Sequence, residues 1–191
     1  MPRLLATIAA TLTLLLSLTT ARAQEANPNI RFGMPAPAEP DPESREAFLT
    51  VRRQYVLSYN AKTRTPNWVS WWLRKEDVGN APRLPFEPDP ALPQGIIAKV
   101  TSHDYNGSGF DRGRMCPAKD RSVTWEDSRA VFYMTNIVPQ SPASNQKAWE
   151  RLEDYCRRLA RDGHVLCPMM WLERFVRKHF GLSLPYSAER G

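Results

Sequence analysis

Residues able to hold a soft metal or a covalent cross-link are scarce in this chain. Its 191 residues include three cysteines and three histidines. No two cysteines stand in a CxxC pair, and the spacing of His164 and Cys167 fits no common zinc module. A zinc site assembled from the thiols with His103 and His164 is therefore set aside. The odd count, Cys116, Cys156 and Cys167, leaves one thiol unpaired even where oxidation is possible. Beyond the N-terminus no apolar run is long enough to span a bilayer, and no internal repeat is visible.

What is present begins with Arg3, an apolar run over 4–18, and Ala21-Arg22-Ala23, a small-x-small cleavage pattern. This reads as a cleavable signal peptide over 1–23, and so as a protein secreted or periplasmic, with no membrane contact after cleavage. Cleavage leaves 191 minus 23, or 168, residues, enough for one domain with a real core. It also removes Arg3 and Arg22, lowering the net charge from +6 to +4. That mild excess is compatible with a polyanionic partner without requiring one.

Residues 24–46, rich in Pro, Ala and acidic side chains, read as an extended lead-in, with the domain proper over 47–166 and a divergent tail over 167–191. Alternation predicts strands over 54–59 and 68–73, joined by turn formers at 60–66 into a hairpin. Further strands are expected over 96–101 and, because the run is nearly all apolar, 130–137. Trp149, Leu152, Cys156 and Leu159 recur at helical intervals, so a helix is expected from Ser144 or Asn145 to about Arg161, capped by Ser144 and stopped by Gly163. Strands followed by a helix indicate an α+β fold.

The chemistry is concentrated between Phe110 and Glu153, in FDRGRMCPAKDR, MTNIVPQ and NQKAWERLE. Asn136 and Asn145 are neutral oxygen donors suited to magnesium, which keeps most of its own waters. Glu153 lies eight residues past Asn145, about 12 Å along a helix axis, better placed for the hydration shell than for the ion itself. Arg83 and Arg112 are side chains that can clamp a phosphate through paired hydrogen bonds. Each of these residues alone has an ordinary capping, surface or turn role; only their joint order carries weight.

With SYNAKTRTPNWVSW, an isolated Arg83 before FEPD, DYNGSGFDRG-MCPAKDR and FYMTNIVPQSPASNQKAWERLE, the chain from about Gln54 to Gly163 resembles the exported DNA/RNA non-specific endonucleases. The resemblance implies the ββα-metal fold: an antiparallel sheet with a helix carrying the metal-binding asparagine. It implies Mg2+ or a similar divalent cation, and DNA and RNA gripped through backbone phosphates rather than read by base. Asp111, Arg112 and Gly113 match the start of the signature motif. Asn145 matches the magnesium ligand, Asn136 a second active-site asparagine, Glu153 the residue supporting the ion's waters, and Arg83 a stabiliser of the phosphorane.

Two departures stand out. Arg114 occupies the place of the histidine general base, and a guanidinium has no lone pair with which to take a proton from water. His103 is too remote in the motif to be a natural substitute. After His164-Val165-Leu166 the text ceases to align, so the fold is expected to be incomplete at the C-terminus. Residues 172–180 suggest a short basic amphipathic helix or an out-of-frame tail. The expectation is thus a metal-dependent endonuclease impaired at Arg114. The alternatives are an inactive nucleic-acid-binding relative, holding phosphate through Arg83, Arg112 and Arg114, and a non-functional truncated product.

Overall fold

A computed structural model describes residues 27–94 and 100–171. The signal segment, the expected helix at 172–180 and most of the expected strand at 96–101 lie outside these residues. The strands are β1 (Phe48–Val51), β2 (Val56–Asn60), β3 (Thr65–Ser70), β4 (Asp111–Arg114), β5 (Ile137–Gln140) and β6 (Met169–Trp171). Among the described residues two α-helices accompany them, α1 (Trp125–Val131) and α2 (Glu150–Arg161). The architecture is α+β, as expected.

The β2–β3 hairpin forms where alternation and turn chemistry agree. The Asn60 side chain accepts from the backbone N–H of Lys62 and Thr63 at 2.9 and 3.2 Å, and Arg64 takes the left-handed conformation that closes the turn. β1 and β6 flank the hairpin, giving an antiparallel sheet of order β1-β2-β3-β6. The strand contributed by 169–171 extends the domain past the boundary expected at 166.

Both faces of this sheet are covered, which is why β2 is buried along nearly its whole length. Leu57, Tyr59, Val69 and Trp71 pack with Phe132, Val131, Met115 and Ala160 on one side. Leu49, Val56 and Trp68 pack against Ile30 and Ala38 on the other. The segment expected to be an extended lead-in is therefore integral from residue 27 onward. Asn29 is fully buried and donates to the Arg52 and Arg53 carbonyls, and its Oδ1 accepts from the Trp72 N–H at 2.8 Å.

The run 130–137 is buried as expected but is not one strand. It holds the end of α1, a 3-10 turn at Met134–Asn136 and the first residue of β5. Thr124 caps α1, its hydroxyl accepting from the Asp127 N–H at 3.1 Å, a local signal that outweighs apolar character. Unbroken burial says nothing of period, and here it conceals a change of element.

The long helix also differs in detail. Its first turn is capped by Ser141, whose hydroxyl accepts from the Ser144 N–H at 3.3 Å; Ser144 is not the cap. Residues Ser144–Trp149 form a π-helical turn before α2 begins. The expected apolar stripe is rotated: Leu152 is exposed, whereas Trp149, Arg157 and Ala160 face inward with half-buried Glu153 and Cys156. Gly163, at φ 91°, terminates the helix as expected.

Candidate active site

β4 and β5 pair antiparallel, Asp111 opposite Gln140 and Arg114 opposite Ile137. Alternation along β4 sends Asp111 and Gly113 to one face and Arg112 and Arg114 to the other. Gly113 is required by packing: a Cβ there would sit 2.2 Å from Gln140 Oε1 and 2.7 Å from Gln140 Cβ. Glycine thus lets the Gln140 side chain cross the strand.

On the first face, Asp111 Oδ2 accepts from Asn145 Nδ2 and Gln146 Nε2, both at 2.9 Å. Those bonds, Asn145 first, hold the Asp111 carboxyl below its usual range. They also commit the Asn145 amide nitrogen, leaving its oxygen as the donor atom for a ligand. Such an oriented amide oxygen, with a carboxylate behind it, fits a hard divalent cation that retains its own waters. Among the described residues no cluster of three His, Cys, Asp or Glu side chains forms a dedicated cage.

On the second face, Arg114 spreads over Phe132 and Phe86, with ring centroids 5.1 and 5.8 Å away. Its Nε is buried and hydrogen-bonds to nothing among the described residues. Burial lowers its pKa, the neighbouring Arg83 guanidinium acts in the same direction, and Glu153 opposes both. It nonetheless stays charged at any physiological pH. Arg112 also lies over Phe86, at 5.7 Å, but its Nη2 is engaged by the Ser102 carbonyl at 2.7 Å and Asn106 Oδ1 at 2.8 Å. It pins the turn Ser102–Tyr105, on which His103 is exposed, so the arginine expected to hold phosphate is partly committed to the protein. Arg83 itself is exposed.

Glu153 enters from α2. Burial pushes its carboxyl up to about 7, against the pull of Arg157, while Asp120 pushes in the same direction as burial and Arg114 against it. Arg157 is the hub beneath it. Its side chain, 3% exposed, donates to Asp120 at 2.8 Å, Asp154 at 2.7 Å and Glu153 at 3.4 Å. Trp71 Nε1 closes the network on Asp120 at 3.0 Å.

Asn136 stands apart from the residues it was expected to join. It has no exposed surface, its Nδ2 donates to the Cys116 and Val131 carbonyls at 3.0 Å, and its Oδ1 accepts from the Cys116 N–H at 2.9 Å. With both amide atoms committed to backbone, it fastens the end of β4 to the start of β5. The geometry therefore gathers Arg83, Arg114 and Glu153, and separately Asp111 with Asn145, while setting Asn136 behind them. Sequence reasoning overlooked Asp120, Arg157, Phe86 and Phe132. The i,i+4 spacing of Glu153 and Arg157 was a usable signal; Asp120 had none.

Known proteins resemble the chain over most of its described residues. The family described as DNA/RNA non-specific endonuclease matches residues 35–168. A nuclease of Nostoc sp. is 45% identical over 139 residues, 72% of this chain and 50% of that protein. The mitochondrial nuclease EXOG of Xenopus laevis is 42% identical over 135 residues, covering 66% of this chain and 37% of its own. Human mitochondrial endonuclease G is 34% identical over 134 residues, covering 69% and 41%. The chain thus spans about half the length, or less, of these curated relatives. A crystal structure of EndoG bound to its inhibitor EndoGI superposes with a TM-score of 0.58 at 27% identity, covering 70% of this chain and 52% of that one.

Proposed function

Because the chain belongs to the DNA/RNA non-specific endonuclease family, we propose that it binds the phosphate backbone of DNA or RNA beside a divalent cation and hydrolyses it slowly. The observation that carries this reading is Asn145, held through its amide nitrogen by Asp111 so that its oxygen is available. Magnesium, or a similar ion, would be held there and would supply positive charge for the oxygen that leaves phosphorus. Asn145 binds, Asp111 orients it, and Arg83 meets the phosphate. Glu153, with a carboxyl near neutrality and fixed by Arg157, supports the attacking water.

Arg114 sets the rate. It stands where a base belongs and has no lone pair to accept the proton of the attacking water. Loss of a general base typically removes a factor of about 100 to 10,000. Arg114→His should therefore nick plasmid DNA in magnesium at least about 100-fold faster than the parent. Equal rates would refute the assignment. Export through the N-terminal 23 residues belongs to the same reading, and a product retained in the cytosolic fraction with those residues uncleaved would refute that part.

A further inference from the structure

Positive charge collects around one aromatic ring on the second face of β4. Arg112 and Arg114 both lie over Phe86, at 5.7 and 5.8 Å, and Arg83 is exposed three residues before that ring. Arg112 spends its donors on Ser102 and Asn106, whereas Arg114 keeps a buried Nε with no partner among the described residues. Glu153, the carboxylate that opposes Arg114, is already shared with Arg157 at 3.4 Å. Two neighbouring guanidiniums with so little counter-charge form a stable arrangement when an oxyanion lies between them.

We propose that Arg83 and Arg114 form a clamp for one backbone phosphate of a nucleic-acid strand, and that this clamp works without a divalent cation. It rests on the reading above that this face meets nucleic acid. Arg114 brings to the site a fixed cation that a histidine would not supply at neutral pH. The rings of Phe86 and Phe132 hold its plane in place, so little side-chain freedom is lost when phosphate arrives.

The test is anisotropy of a short fluorescein-labelled single-stranded DNA with the full chain, in EDTA and in magnesium at equal ionic strength. Affinity in EDTA should lie within about threefold of that in magnesium. Arg114→Gln should weaken binding in EDTA by about tenfold or more, the factor expected from one charge-assisted hydrogen bond. Arg151→Gln, an exposed arginine on α2, should change it less than about twofold. Binding that disappears in EDTA, or that falls equally in both variants, overturns the clamp. Should Arg114→Gln lose cooperative melting, Arg83→Gln serves instead; an unchanged affinity there also overturns it. Arg114→His separates the two readings. Weakened EDTA binding without faster cleavage leaves the clamp standing and removes the base assignment, and the reverse result does the opposite.

Discussion

Replacing Arg157 with methionine tests how the site is built from beneath. The guanidinium is 3% exposed and its strongest partner, Asp120, is 1% exposed, at 2.8 Å. Removing it leaves the buried Asp120 with the Trp71 indole N–H as its remaining side-chain donor among the described residues, and an uncompensated buried carboxylate costs about 3 to 5 kcal/mol. The bond to Asp154, which is 49% exposed, adds little. The loss should therefore be about 3 kcal/mol or more by urea denaturation at pH 7. Most of it should return in Asp120→Asn combined with Arg157→Met, because the stranded charge is then absent.

The pH profile supplies an independent check. Glu153 has a folded pKa of about 7, above its ordinary 4.5. Between those values the folded state keeps a proton that the unfolded chain has released, so this group's contribution to stability falls as pH rises from about 4.5 to about 7 and is level above. Arg157 restrains that shift, so in Arg157→Met the decline should continue beyond pH 7. A loss below about 1 kcal/mol, or an unaltered profile, would refute the network as the support of Glu153.

Further outcomes follow from contacts around β4. Gly113→Ala drives a Cβ to 2.2 Å from the buried Gln140 side chain and should cost about 1 to 3 kcal/mol by thermal melting; a neutral result would mean that Gln140 can move aside. Asn136→Ala strands the Cys116 N–H and the Cys116 and Val131 carbonyls, and should destabilise by about 3 kcal/mol or more in a urea titration. Asp111→Asn releases the orientation of Asn145, so the magnesium-induced rise in Tm should require about 10-fold to 100-fold more ion, and an unchanged midpoint would deny Asp111 that role.

The hairpin was legible because two independent signals, alternation over β2 and turn formers after Asn60, agreed. The burial of Ile30 and Ala38 was not, since isolated apolar residues among prolines carry no period. Apolar content misplaced the inner face of α2, because a hydrophobicity ranking sends Arg157 outward although its partner Asp120, 37 positions away, draws it in. The motif itself was evident as a pattern, and resemblance supplied the roles proposed for Arg83 and Asn145. Resemblance also grouped Asn136 with the ligand-facing residues, where its hydrogen bonds show a backbone fastener.

The π-helical turn at Ser144–Trp149 has a consequence for angular phase. In an uninterrupted α-helix, Asn145 and Glu153 would be about 80° apart around the axis. A π turn advances less per residue, with about 4.4 residues per turn, so the two side chains come within about 10° of each other. Asn145, Trp149 and Glu153 then form a single line facing the sheet, in keeping with their half-buried, buried and half-buried states. One extra residue of winding thus acts as a phase corrector, and regular α-helical winding through the same residues would turn the Asn145 amide away from the Glu153 carboxylate without altering either.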